Sequence, residues 1–338
     1  MKARTVVVML LVAAPAVAQE RLPIIDMHLH ALAADANGPP PLALCVPVPA
    51  YPARDTRQTW GDIFIEWQKR PPCPDPVWSP RTDEALKEET IAALKRMNVI
   101  AVLSGTPERV EEWLKAAPDR FIAGLQFQFN RDDLSPESLR RLYQQGRFAV
   151  FAEVTNQYVG IAPDDPRFEP YLAVVEDLDI PVGIHIGTGP PGAPYLGFDR
   201  YRAALHSALT LEGALVRHPK LRVYIMHAGW PMLDDLLAVL WAHPQVYVDV
   251  GGIVFGLPRA EFYRYLQRIV EAGFGKRVMF GSDQMVWPGV IERSIESIES
   301  APFLSAIQKR DILYNNASRF LRLSEADIAK HHGRQVNH

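Results

Sequence analysis

Cysteine is scarce in this 338-residue chain; only Cys45 and Cys73 occur. Neither lies among other cysteines, which removes a cysteine-rich zinc site from consideration. A dominant charge sign is also lacking. Thirty-six Lys and Arg against 39 Asp and Glu leave a formal net charge of −3, and no basic run or basic–aromatic interleaving occurs. That balance gives no electrostatic footing for nucleic acid or an anionic membrane. No Gly-x-Ser-x-Gly elbow is present, which disfavours a serine hydrolase. Gly187-Thr188-Gly189 lacks the lysine and spacing of a phosphate loop. Internal repeats and low-complexity tracts are absent too. Hydrophobic residues make up 48% of the chain, which suits a globular protein.

The long apolar run needed for a membrane span is likewise missing. A shorter one opens the chain. Lys2 and Arg4 precede an apolar stretch from Val6 to Ala14, and Ala16-Val17-Ala18 supplies small residues before Gln19-Glu20. This is the pattern of a secretory signal peptide over residues 1–18, cut after Ala18. The expectation is an exported protein, periplasmic or secreted, with no membrane attachment after cleavage. An oxidising compartment then permits a Cys45–Cys73 disulfide, with two free buried thiols as the alternative. The bridge would contribute about 3 kcal/mol in the chain-entropy account.

Past residue 90, short apolar runs alternate with amphipathic stretches. Strands are expected at Leu22–Leu29, Val99–Leu103, Phe121–Gln126, Phe148–Val154, Pro181–Ile186, Leu221–Met226, Val246–Val250 and Val278–Phe280. Helices are expected at Pro107–Ala116, Pro136–Gln145, Arg167–Leu178, Tyr201–Val216, Met232–Trp241 and Arg259–Glu271. Strands separated by helices of this length indicate βαβ units and a parallel sheet. Eight such strands favour a closed (β/α)8 TIM barrel over an open sheet. The barrel should occupy residues 19–325, followed by a frayed polar tail over 326–338. The first βα connection is swollen by a Pro- and Trp-rich insertion over about 37–80, a length usual for a lid or pocket wall.

The first strand ends in Asp26-Met27-His28-Leu29-His30. Residues i and i+2 point to one side of a strand, so both imidazoles can reach one ion. Active sites of barrels sit at the C-terminal strand ends. His185, His227 and Asp283 each follow an apolar strand there, and Glu153 lies near the end of the fourth strand. His218 and His243 each precede Pro on the opposite rim, where a helix dipole is the simpler partner. His206 falls inside an expected helix, and His331, His332 and His338 lie in the tail. All six read as non-catalytic.

His28-x-His30, His185, His227 and Asp283 resemble the amidohydrolase superfamily. His227-Ala228-Gly229-Trp230-Pro231, Gly281-Ser282-Asp283 and the ending Tyr314-Asn315-Asn316-Ala317-Ser318-Arg319-Phe320 are similar to its amidohydrolase-2 branch, which includes aminocarboxymuconate-semialdehyde decarboxylase, resorcylate-type decarboxylases and lactonases. The resemblance covers most of the chain after Leu22 but not the insertion or the leader. It implies one or two divalent ions, zinc foremost, held by His28, His30 and His185. Asp283 would ligate or take a proton from activated water. His227 would act as general acid–base or hold a second ion. Asp26 would orient a ligand histidine from behind. Glu153 would either ligate, bridging two ions, or orient water. No lysine ends its strand, so a carboxylated-lysine bridge is disfavoured. Barrels of that branch are often homodimers.

Tyr195, Arg200 and Trp287 follow the fifth and eighth strands and are substrate-pocket candidates. Trp60, Trp67 and Trp78 lie in the insertion. Arg200 has the planar fork for a carboxylate. Plain packing of the insertion onto the barrel is the simpler account of such aromatics. The leading expectation is hydrolysis of a small-molecule lactone, ester or amide, with Asp283 taking the proton and His227 stabilising the oxyanion. A non-oxidative decarboxylase with the same residues is the alternative. A non-catalytic periplasmic metal- or solute-binding protein is the third.

Overall fold

Buried runs of Val, Ile and Leu set the strands, because β-branched side chains pack well on a pleated surface. The computed structural model describes residues 21–187 and 189–334; the expected leader over residues 1–18 lies outside them. Eight barrel strands follow in order: β1 Ile24–His30, β2 Val99–Ser104, β3 Phe121–Ala123, β4 Phe151–Val154, β5 Val182–His185, β6 Val223–Met226, β7 Tyr247–Asp249 and β8 Val278–Met279. All neighbouring pairs are parallel. Bridges Gly124–Val150 and Phe127–Val154 join the β3 and β4 segments. The ring closes where Met27 N–H donates to Phe280 O at 2.9 Å and Asp283 N–H donates to His28 O at 2.7 Å. The fold is a (β/α)8 barrel.

The interior is filled by Ile25, Met27, Val102, Val150, Ala152, Tyr224, Met226 and Met279, with Tyr314, Ala317 and Phe320 added from the C-terminal helices. A larger apolar layer separates strands from outer helices. In β1, Ile24 and Leu29 both join that outer layer although five positions apart, while Ile25 and Met27 face inward. Strict alternation cannot do this. The register of β1 on β2 shifts between Asp26 and Leu29, and such an irregularity re-aims side chains.

Helix ends carry the expected devices. Pro136 opens the helix Pro136–Gln144, whose Ser135 cap accepts from Ser138 N–H, and Thr82 caps Asp83–Met97 by accepting from Ala85 N–H. Two expectations need correction. The long helix expected over Tyr201–Val216 is three pieces: 3-10 turns Ala203–His206 and Ala208–Leu211, then the helix Glu212–Arg217. Ser207 breaks it with extended backbone (ψ 139°) while its hydroxyl accepts from Leu209 N–H, a side-chain bond that competes with helix. The tail is ordered as far as a capped helix, Glu325–His331. Its Ser324–Asp327 capping box satisfies backbone groups at both positions.

The insertion is structured. Ala43–Leu44 pairs antiparallel with Val77–Trp78, Cys45 and Cys73 are bonded across a separation of 28 residues, and the helix Trp60–Lys69 lies between. It rests on three loops at the C-terminal strand ends. Trp60 donates to Pro191 O at 2.7 Å, Tyr51 to Gly256 O at 2.6 Å, and Trp287 reaches back to Leu42 O at 3.0 Å. The insertion therefore covers the barrel mouth.

Candidate metal centre

Six polar residues from five strand ends converge under that cover: His28, His30, Glu153, His185, His227 and Asp283. None is more than 8% exposed. His28 Nε2 and His30 Nε2 face each other at 3.1 Å. Asp283 Oδ1 lies 3.5 and 3.2 Å from these two nitrogens, and Glu153 Oε2 lies 3.7 and 3.4 Å from them. Edges of a tetrahedral site with bonds of about 2.1 Å are about 3.4 Å long. The His28, His30 and Asp283 spacings match ligands around one ion, whereas Glu153 groups with His28 and His227.

A second cluster adjoins the first. Glu153 Oε1 lies 2.5 Å from His185 Nδ1 and 3.4 Å from His227 Nε2, and those two nitrogens are 2.9 Å apart. One carboxylate thus stands between two pairs of imidazoles, an oxygen toward each.

The surroundings orient the rings. His28 Nδ1 sits 3.3 Å from Asp249 Oδ2, and His227 Nδ1 sits 2.9 Å from Gly251 O. With each Nδ1–H donating outward, each Nε2 turns a lone pair inward, as ligation requires. Asp249 Oδ1 also accepts from Gly251 N–H at 2.8 Å and His227 N–H at 3.2 Å. Asp26 behaves differently from its expected role: its carboxylate accepts from the backbone N–H groups of His28 and Ser282, each at 2.9 Å. It pins β1 to the loop after β8, and Asp249 is the residue that orients a ring. Gly251 and Gly252 permit the close approach. A Cβ at Gly251 would fall 2.6 Å from His28 Nδ1, and one at Gly252 (φ +70°) would fall 2.8 Å from Asp283 Oδ2. His227 and Asp283 hold φ of 60° and 51°, a left-handed backbone that costs non-glycine residues energy and clusters at functional sites.

Burial alone would neutralise these groups, and mutual charge prevents it. Glu153 is held well below the carboxylate range, because the nearby His185 charge and hydrogen bonds from three histidines outweigh its burial. Asp283 is lowered against its burial, chiefly by His28. His28 is raised well above its ordinary value, with Asp283 and Asp249 overcoming burial. His227 is raised as Glu153 overcomes burial, whereas His185 is lowered by burial and the His227 charge. Asp26 is pushed up to about 6 by burial.

A divalent cation fits this donor set. The His28 and His30 Nε2 atoms lie 3.1 Å apart, with Asp283 Oδ1 3.5 and 3.2 Å from them. A buried cluster so rich in acceptors is stable when a cation is shared among them.

The three pocket candidates are not brought to this centre. Trp287 is 2% exposed and spends its indole N–H on the insertion. Tyr195 is 62% exposed, with the Arg54 guanidinium 4.3 Å above its ring. Arg200 is exposed. Two residues passed over do belong nearby. Asp249 carried a usable signal: an apolar run, Val246-Tyr247-Val248, ends in a carboxylate before Gly251-Gly252. His206 sits on its 3-10 turn with its ring centroid 5.4 Å from that of His185, and burial pushes it down to about 3.

A (β/α)8 barrel with histidines and carboxylates converging at its strand ends defines a metal-dependent enzyme of the amidohydrolase type. Residues 25–323 match the amidohydrolase family, and the chain belongs to it, in the amidohydrolase-2 branch. A gamma-resorcylate decarboxylase of Rhodococcus jostii (strain RHA1) is 28% identical over 155 residues, 39% of this chain and 46% of that protein. The match thus spans less than half of that relative's length. Among solved structures, a TIM-barrel protein of Bordetella bronchiseptica superposes with a TM-score of 0.57 at 20% identity, over 91% of this chain and 100% of that one. A 2,6-dihydroxybenzoate decarboxylase from Rhizobium gives 0.53 at 17%, over 89% and 99%. At such identities the structures support the fold.

Proposed function

We propose that the chain catalyses metal-dependent, non-oxidative decarboxylation of a small aromatic carboxylic acid. The observation that carries this is the convergence of His28, His30 and Asp283 around one point, with Glu153 and His227 grouped beside it on His28 and none more than 8% exposed, in a family with named decarboxylases among the relatives. His28, His30 and Asp283 would hold the ion, zinc being favoured by the mixed N/O donors. When bound, it supplies Lewis acidity that grips oxygens of the substrate. Exclusion of water disfavours the concentrated charge of a carboxylate relative to charge spread over a ring. Carbon then needs a proton as CO₂ leaves. His227, whose Nε2 faces inward, would take up a proton from solvent and deliver it to that carbon. Asp283 orients a substrate hydroxyl.

Hydrolysis of a lactone, ester or amide is a second reading, favoured by one feature: Glu153 presents one oxygen to each imidazole pair, as a carboxylate bridging two ions would. Asp283 then takes a proton from water and His227 stabilises the oxyanion. Export completes the proposal, supported by the Cys45–Cys73 bond, which suits an oxidising compartment.

Zinc-reconstituted protein is incubated with 2,6-dihydroxybenzoate and, in parallel, with a lactone and an aryl ester. Chelator-sensitive CO₂ release is the expected result. Acid release from the lactone or ester without CO₂ would replace it with the second reading, and silence on every substrate would overturn both.

A further inference from the structure

Gln157, Tyr158 and their neighbours form a 3-10 turn, Asn156–Val159, directly after β4. This turn is anchored through the two residues that precede Tyr158. Gln157 Nε2 donates to His185 O at 2.6 Å, and Asn156 Oδ1 accepts from Phe129 N–H at 3.0 Å. Tyr158 is thereby fixed beside the metal centre. Its ring meets that of His185 edge-on at 4.9 Å, and Phe198, Tyr201 and His206 pack around it at 4.6, 5.6 and 5.9 Å. The phenol points at the loop after β5, where residue 189 is glycine; a Cβ there would fall 2.1 Å from the Tyr158 oxygen.

The hydroxyl donates to no described residue, although a phenol so placed ordinarily finds a partner. Tyr158 is partly exposed. A phenol hydroxyl without a partner among the described residues, standing beside the metal centre, is suited to an oxygen of a bound acid. Aromatic walls on the same side suit a flat ring.

We propose that Tyr158 contacts the substrate: its hydroxyl donates a hydrogen bond to a carboxylate or hydroxyl oxygen of a planar acid, and its ring, with Phe198 and Tyr201, forms the wall against which that acid lies. The assignment rests on the proposed aromatic-acid substrate, and it is tested by binding, which needs no turnover.

The probe is salicylate, titrated calorimetrically into zinc-reconstituted wild type and Tyr158→Phe, with metal content and thermal midpoint recorded for both. The variant keeps the ring and loses only the donor. Salicylate should bind wild type and bind the variant about tenfold more weakly, the fold-change of one hydrogen bond to a charged group, with metal content and midpoint unchanged. Equal affinity in both proteins, no binding to wild type, or loss of metal from the variant would overturn the assignment. Wild type that binds salicylate with the expected tenfold difference yet releases CO₂ from no acid would uphold Tyr158 while defeating the decarboxylation.

Discussion

Buried histidines with carboxylate partners occupy both ends of the barrel, and only one end makes a site. At the N-terminal end, His218 is 6% exposed, with Nδ1 2.9 Å from Glu176 and Nε2 2.7 Å from Glu169. Each ring nitrogen has its own carboxylate, and the group is complete. At the C-terminal end, His28 and His30 turn nitrogens toward each other at 3.1 Å, and Glu153 is divided among four rings. Residue types are the same; what differs is whether the donor atoms pair off or converge. Convergence leaves a shared point that a cation fills.

Asp283→Asn strikes the convergent end hardest. Turnover should fall by about 10³-fold or more, equivalent to about 4 kcal/mol of barrier, with the circular dichroism spectrum and thermal midpoint retained. Surviving turnover would remove Asp283 from the chemistry. The cover over that end comes next. Cys73→Ser opens the loop closed by the disulfide and should cost about 3 kcal/mol in chain entropy, read as a lower urea midpoint. An unchanged midpoint would mean that the insertion is held by its docking contacts alone.

His218→Ala tests the paired end and should do least. Glu169 and Glu176 have side chains 36% and 21% exposed, so screening limits the loss to about 1 kcal/mol, with metal content and activity intact. A pH series refines the point. Burial works to raise both carboxyls, but hydrogen bonds led by His218 lower them. Their contribution is therefore present above the ordinary carboxylate range and lost as pH falls through the lowered values. Unfolding midpoints followed from neutral pH to about pH 3 should show a smaller acid-side loss in His218→Ala than in wild type. Identical slopes would show that the pairing contributes nothing to acid stability.

The convergent end was legible in the chain because β1, β5, β6 and β8 announce themselves as apolar runs that stop at His28, His185, His227 and Asp283. Asp249 was equally legible by that rule, at the end of β7. Tyr158 and His206 were not, since a 3-10 turn after β4 and a helix broken at Ser207 bring them together from segments with no shared pattern. Nearness in sequence misled in the other direction. Tyr195 and Arg200 follow His185 closely, yet their loop carries both outward to solvent. Trp287 follows Asp283 closely, but its N–H needs a partner once buried and finds Leu42 O in the insertion. Long-range closure of the loop, not local periodicity, decides such cases.

His28, His30 and Asp283 should hold a divalent ion, with Glu153 and His227 beside it on His28. Elemental analysis after zinc reconstitution and desalting, on wild type, Glu153→Ala and a His28→Ala/His30→Ala double variant, tests it most directly. Wild type should retain at least one ion per chain and the double variant none. Two ions in wild type falling to one in Glu153→Ala would identify Glu153 as a bridge. Wild type that retains no metal would contradict the account.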